Sequence, residues 1–451
     1  MRETRAPRIF LSGLAGLLTT TVLVAGGAAP TSAAGSTSEK RPRQVSRVLE
    51  SQAPLDSRRD VLRDWQLTIS RPPISGTVLN RLRTAGRDEA LGSAVSAVVL
   101  DAATGRVLYS RNADLALMPA SGQKLATAFT AVHTMGPDAR FRTEVRASPA
   151  LDVLHLVGGG DPALTSTQLR TMAASARDAV VGAGRTSVSL RVDDDLFPLP
   201  TNATGWKTSY VPGDVAPVRP LVVDGRNVLD TALDAGTVFR NELVHLGVAV
   251  SSYARGSAPA GTVPVTAVVS PPVSALVART LKVSDNDYAE ALHRQSARTA
   301  GKAATWTAAG AHTVSTLKAK GTQASGVVVH DGSGLSRADR TSATALTSLL
   351  LAASRSSTVS SVFYAADAMP TAGVSGTLAT RFAQPDTRCA RGKVRAKTGT
   401  LSDVTALSGT AYGVDGRQRI FSVVVNGAPD MAAARFAIER FATAATGCDP
   451  A

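Results

Sequence analysis

Hydrophobic and polar positions change rhythm several times along this chain. Ala94–Asp101 is a β-rich run, Ala-Thr-Gly follows it, and Arg106–Ser110 resumes the pattern, which predicts a hairpin. After Met118-Pro119-Ala120-Ser121 a helical stretch of apolar spacing runs to Thr134, where Gly136-Pro137 stops it. Ser121 therefore stands at a predicted helix N-terminus, where the helix dipole favours developing negative charge. Between 141 and 270 the rhythm shortens. Strand-like Leu154–Val157 and Val188–Val192 alternate there with Gly, Pro and Asp clusters, and the region reads as an inserted domain. Beyond Ser270-Pro271-Pro272 the helical spacing returns through Val273–Leu281, and again at Ser342–Ala353. Arg417–Asn426 alternates as a strand, and Met431–Ala444 is an amphipathic helix. The pattern predicts a sheet with helices on both faces, built from both ends of the chain around the insertion.

The N-terminus stands apart. Arg2, Arg5 and Arg8 precede an apolar run from Ile9 to Val24, and small residues crowd Ala28–Ala34. This reads as a signal peptide, residues 1–34, cleaved after Ala33 or Ala34. The alternative is an uncleaved anchor, for which the run is near the lower length limit. No cysteine lies near the cleavage region, which argues against a lipoprotein, and no other stretch is apolar enough to cross a bilayer. Residues 35–60 are polar, basic and interrupted by Pro42 and Pro54, so they read as a flexible linker. Residues 61–140 and 271–451 then make the main domain, with 141–270 as the insertion. With 451 residues, 44% of them hydrophobic and only 4% aromatic, the chain builds a large core mostly from Val, Leu and Ala. The net charge is +14, and +12 remains without the first 34 residues. Export argues against nucleic acid as the partner of that charge, and an anionic cell wall suits it better. In an oxidising compartment Cys389 and Cys448 would form a disulfide that ties down the C-terminus; two free thiols are the alternative.

Three short motifs carry the chemistry. Ser121-Gly122-Gln123-Lys124 reads S-x-x-K, Ser284-Asp285-Asn286 reads S-x-N, and Lys397-Thr398-Gly399-Thr400 reads K-T-G-T. Each alone is weak; all three in this order point to a serine acyl-enzyme whose base is lysine. Three residues along a helix bring Ser121 and Lys124 onto one face. A lysine buried beside a second cation loses proton affinity and becomes a base near neutral pH, and Lys397 is the candidate second cation. Ser284 would relay a proton to the leaving amine, Asn286 would hold a substrate amide, and Asp285 would point away and cap the turn. Lys397 suits a substrate carboxylate, with the Thr398 and Thr400 hydroxyls beside it. The backbone N–H groups of Ser121 and Thr400 would form the oxyanion hole. The bland reading of Ser121 and Lys124, a helix cap and a surface lysine, fails once the other two motifs are present.

Histidine catalysis is the competitor, but none of the six histidines lies in a G-x-S-x-G elbow. His330-Asp331-Gly332-Ser333-Gly334 holds triad residue types side by side, yet sequence neighbours rarely converge in that way, so it reads as a structural loop. Gly158-Gly159-Gly160-Asp161-Pro162 is followed by no helix with a phosphate-loop lysine. Asp193-Asp194-Asp195 reads as a solvated turn and not as a metal site. No cofactor or metal is expected.

On these residues the chain resembles the low-molecular-mass class C penicillin-binding proteins, the D-alanyl-D-alanine carboxypeptidase/endopeptidases. The likeness extends to Pro119-Ala120 before Ser121, Leu156–Pro162, Gly205-Trp206, Asp224–Asn227, Ser284–Glu290, Asp331–Arg337 and Gly373–Leu378. It spans the chain from about residue 90 to the C-terminus. The resemblance implies an α/β (α+β) fold of the serine β-lactamase/transpeptidase kind: an antiparallel sheet flanked by helices, with a smaller β-rich domain inserted. It implies Ser121 as nucleophile, Lys124 as general base, Ser284 and Asn286 as the second catalytic element, and Lys397, Thr398, Gly399 and Thr400 as the binders of a terminal carboxylate. The implied substrate is the D-Ala-D-Ala end of a peptidoglycan stem peptide, or a D-Ala cross-link, handled outside the cytoplasm, in the cell wall or periplasmic space. β-Lactams are the implied inhibitors. Ser121 and Ser284 are 163 residues apart, shorter than in the larger members of that family and far longer than in class A β-lactamases. This predicts a trimmed insertion, one small domain or two incomplete ones. The other readings are a DD-transpeptidase or β-lactamase on the same fold, and a non-catalytic wall-binding homologue.

Overall fold

The computed structural model describes residues 74–449. The signal-peptide and linker readings fall on residues 1–60, outside the described residues. In chain order the first elements are α1 (Gly76–Gly86), β1 (Val95–Asp101), β2 (Val107–Arg111) and α2 (Gln123–Met135). The middle of the chain follows with β3 (Arg142–Ala147), β4 (Val153–Val157), α3 (Ser166–Gly182), β5 (Ser187–Asp193), α4 (Thr231–His245), β6 (Ala249–Arg255) and β7 (Val263–Val269). Then come α5 (Val273–Lys282), α6 (Asn286–Thr299), α7 (Trp306–Ala319), α8 (Ala343–Arg355) and α9 (Ser357–Phe363). The chain closes with β8 (Val394–Leu401), β9 (Val404–Tyr412), β10 (Gln418–Asn426) and α10 (Met431–Thr446).

The first sheet has the order β2-β1-β10-β9-β8, antiparallel throughout, so the two ends of the chain meet where β1 pairs with β10. All seven residues of β1 are buried, because both faces of this strand are covered. On one face Val95, Ala97 and Val99 pack with α1 and α10; on the other, Val98 and Leu100 pack with α2, α5 and α8. Ten consecutive residues of α2, Gln123–Val132, are buried. A helix enclosed on all sides carries its polar groups into the core, and each of these needs a partner there. Cys389 and Cys448 are disulfide-bonded and tie the end of α10 to the segment before β8.

Residues 142–269 form one second sheet, ordered β6-β5-β4-β3-β7, in which β4-β5 and β5-β6 are parallel. Burial alternates along β3 and β5, as expected for strands with one covered face. The cover consists of α3 and α4, two helices not expected above. They carry the crossovers that parallel neighbours require. The Asp193–Asp195 turn is engaged internally: Asp194 pairs with Arg219 and Arg255, and Asp195 accepts from Ser257. Between β5 and α4 the chain returns toward the first sheet. There Trp206, Tyr210 and Val215 pack against Leu335 and Leu401.

Candidate active site

The turn before α2 is held from both sides. Met118 exchanges two hydrogen bonds with the Asn426 side chain at the end of β10, its N–H donating at 2.9 Å and its carbonyl accepting at 3.1 Å. Leu117 bridges to Thr341. Ala120 is fully buried at φ +46°, a left-handed conformation that side chains rarely adopt. Such strain persists only where the surroundings impose it, and here it delivers Ser121, half-buried, to the cleft at the start of α2.

Lys124 lies one turn further along and is fully buried. Its Nζ stands 3.1 Å from Ser121 Oγ, 2.6 Å from Asn286 Oδ1 and 2.7 Å from the Ser333 carbonyl oxygen. All three contacts are to neutral oxygens, so no carboxylate touches the amine. Burial pulls its pKa from 10.5 down to about 8, against the upward pull of Asp331, Glu290, Asp285 and Asp287. The expected cause, Lys397 as a second cation, gives way to desolvation. It is Lys397 that feels Lys124, after its own burial, and both effects hold it well below the usual lysine range.

The second motif sits at the α5–α6 junction. Ser284 adopts φ +63°, and Asp285 caps α6 by accepting from the Tyr288 N–H, while Arg279 pairs with its other oxygen at 3.0 Å. Asp285 is thereby turned away from the cleft. Ser284 Oγ accepts from Lys397 Nζ at 2.9 Å. Asn286 gives its carbonyl oxygen to Lys124, and its amide donates to the Asp214 carbonyl at 2.8 Å. Each end of the Asn286 side chain is thus half used, and one lone pair on its oxygen and one amide hydrogen remain.

β8 brings the third motif against the nucleophile turn. A Cβ on Gly399 would stand 2.5 Å from the Pro119 carbonyl oxygen, so glycine is what lets the strand approach this closely. Lys397 is fully buried, donating to Ser284 and to the Thr398 carbonyl, and does not line the open mouth. Thr398 pairs with the Thr377 hydroxyl at 2.9 Å, and Thr400 is exposed at the rim. Hydrogen bonds therefore join Ser121 and Asn286 through Lys124, and separately join Ser284 to Lys397, with Thr398 and Thr400 on the same strand as Lys397.

Sequence reasoning gave no role to four participants: the Ser333 carbonyl, the Asp214 carbonyl, Thr377, and Glu290, which accepts from the Gly332 and Ser333 N–H groups beside the base. Two are main-chain oxygens and carry no residue signature. The loop Asp331–Arg337 lies directly on the base, although the residue types alone suggested only a structural role. Among the described residues no cluster of His, Cys, Asp and Glu has the make-up of a metal site, and no helix is long and apolar enough to cross a membrane.

Comparison with known proteins gives this geometry a class. The fold is similar to that of penicillin binding protein 4 from Haemophilus influenzae, with a TM-score of 0.71 at 19% identity over 81% of this chain and 97% of that one. The same protein complexed with a β-lactam matches with a TM-score of 0.64 at 20% identity, over 81% and 97% of the two chains. The chain is 32% identical to carboxypeptidase DacB of Mycolicibacterium smegmatis, over 78% of this chain and 80% of the relative. It is 31% identical to the D-alanyl-D-alanine carboxypeptidase of an Actinomadura species, over 75% and 79%. Fold and relatives together define a low-molecular-mass class C penicillin-binding protein. Residues 78–228 and 222–445 match the D-Ala-D-Ala carboxypeptidase 3 (S13) family, and the chain belongs to it as a D-Ala-D-Ala carboxypeptidase.

Proposed function

We propose that this protein is an exported serine DD-carboxypeptidase that trims the terminal D-Ala from peptidoglycan stem peptides through an acyl-enzyme on Ser121. The observation that carries the reading is the buried Lys124 amine, 3.1 Å from Ser121 Oγ and ringed by neutral oxygens. In its neutral form the amine has a lone pair for the Ser121 proton as Oγ attacks the carbonyl of the penultimate D-Ala. The N–H groups of Ser121 and Thr400 stabilise the oxyanion. Collapse breaks the peptide bond, and the proton passes from Lys124 through Ser284 to the leaving amine. Water then adds to the ester as Lys124 takes its proton, Lys124 returns that proton to Ser121 Oγ as the ester C–O bond breaks, and the shortened peptide leaves. Lys397 supplies positive potential from beneath the cleft, while the Thr398 and Thr400 hydroxyls contact the terminal carboxylate. The same steps on a D-Ala cross-link constitute endopeptidase action.

A β-lactam presents a strained amide beside a carboxylate, so it enters the same attack and leaves a slow ester. The β-lactam complex of the Haemophilus relative supports this extension. Export rests on the N-terminal sequence and on the extracytoplasmic location of the substrate.

Intact mass after incubation with benzylpenicillin, alongside D-Ala release from a D-Ala-D-Ala peptide, tests the proposal. Wild type gains one penicilloyl mass and releases D-Ala, and Ser121→Ala does neither. An adduct that persists in folded Ser121→Ala removes Ser121 as nucleophile. Rapid repeated penicillin turnover without D-Ala release would instead make the protein a β-lactamase.

A further inference from the structure

Glu290 lies one turn along α6 from Asn286, on the same face, and is fully buried. Its two carboxyl oxygens accept from consecutive backbone donors: Oε2 from the Gly332 N–H and Oε1 from the Ser333 N–H, each at 2.8 Å. The Ser333 carbonyl that completes this stretch is the one 2.7 Å from Lys124 Nζ. The rest of the loop is wrapped around Asp331, which accepts from Trp206 Nε1 and the Gly334 and Ser336 N–H groups, each at 2.7 Å. Thr127, on the same helix as Lys124, donates to the Gly332 carbonyl at 2.7 Å. The approach is too close for side chains: a Cβ on Gly332 would stand 2.6 Å from the Ala289 carbonyl, and one on Gly334 would collide with the Ala120 carbonyl.

We infer that Glu290 is a positioning residue for the base. By accepting both the Gly332 and Ser333 N–H groups it aims the Ser333 carbonyl at Lys124, and its carboxylate places negative potential beside the buried ammonium. The inference rests on the Lys124 mechanism proposed above. Two N–H donors aimed at two oxygens suit a carboxylate; a protonated acid would turn its own hydrogen against one of them. Burial and the neighbouring Asp331 raise Glu290 above the usual carboxylate range, and the Gly332 and Ser333 N–H bonds oppose this by favouring the ionised form. Around Lys124 the charged groups are Asp331, Glu290, Asp285 and Asp287, with Lys397 as the neighbouring cation. Glu290 also faces Arg294 on its own helix and Asp339 on the loop. Removing one of these anions makes protonated Lys124 less favourable, so the base becomes neutral at lower pH.

The test is the pH profile of acylation by benzylpenicillin for wild type, Glu290→Gln and Glu290→Asp, each first shown to be folded by circular dichroism and melting. Glu290→Gln removes the charge and one acceptor. Its plateau rate should fall about 10- to 100-fold, and the midpoint of its acid limb should move down by about one pH unit. Glu290→Asp keeps the charge but shortens the reach, so its plateau falls while its limb stays with wild type. A folded Glu290→Gln whose limb is unmoved overturns the electrostatic role. If Glu290→Gln does not fold, a Glu290→Asp plateau equal to wild type overturns the positioning role. Failure of the wild type to acylate would sink the Lys124 mechanism itself; wild-type acylation with superposable variant profiles sinks only the role of Glu290.

Discussion

A single lysine shows how far residue chemistry is set by surroundings. Lys124 has an ordinary stem and an ordinary ammonium, but enclosure in α2 strips its water and leaves only three neutral oxygens. The charged form suffers most from that loss, so the pKa drops to about 8. The base works only when neutral, which fixes the sign of the pH dependence. Acylation by benzylpenicillin should climb as pH rises through about 8 and level off above it. At pH 7 roughly one molecule in ten would carry a free base. Stopped-flow acylation across this range checks the limb, and a rate flat from pH 6 to 9 would remove Lys124 as the titrating base. Replacing Lys124 by Met keeps the volume, removes the proton acceptor and should slow acylation by about 10²- to 10⁴-fold.

Between elements, the decisive contact is β8 against the nucleophile turn. Gly399 permits it, since any Cβ would press on the Pro119 carbonyl at 2.5 Å. Gly399→Ala should push the strand and the turn apart, separating Thr400 and Ser121 by a fraction of an ångström. Misplacement on that scale costs up to about 100-fold in rate, while overpacking costs about 1–3 kcal/mol in stability. The acylation rate and the denaturant midpoint, measured on one preparation, separate the two effects. A variant that loses stability but acylates at the wild-type rate would show that this close approach does not align the site. The helices follow the same logic. α2 and α6 are buried over most of their length, and Lys124, Thr127, Asn286 and Glu290 are spent on each other and on the loop after α7.

On the scale of the whole molecule, the catalytic sheet is assembled from chain ends that are far apart in sequence. β1 lies beside β10 through the register Val95↔Val425 to Asp101↔Arg419. The Cys389–Cys448 bond closes a separation of 59 residues around β8, β9, β10 and α10. Cross-linking a loop of that size restricts the unfolded chain and stabilises by about 2–4 kcal/mol. The Cys389→Ala/Cys448→Ala double variant should therefore melt earlier yet acylate normally below its transition, because neither cysteine touches the cleft. Equal melting with and without reductant in the wild type would refute that contribution.

Three of the five strands of the catalytic sheet were legible from period alone; β8 and β9 were not read as strands. The hairpin at 95–111, the helix after Ser121 stopped by Gly136, the strand over 418–426 and the C-terminal helix are all local patterns with local stop signals. The two helices over the second sheet were missed although the signal is present: Leu169, Met172, Ala173, Ala176 and Val180 keep helical spacing behind the Thr165 capping box, and Ala232, Ala235, Phe239 and Leu243 do so behind Asp230. Within the site, the sequence by itself determined which residue types carry the chemistry: a serine and a lysine one turn apart, a serine and an asparagine around a cap, and a lysine in a Thr-Gly strand. The tertiary structure alone decided how they act. Lys124 meets Asn286 across 162 positions and the Ser333 carbonyl across 209, and a carbonyl oxygen is the same atom in every residue. Burial is likewise a property of everything packed around a group. For that reason the low pKa of Lys124, the enclosure of Lys397 and the hold of Glu290 on the loop arise only once the chain has closed on itself.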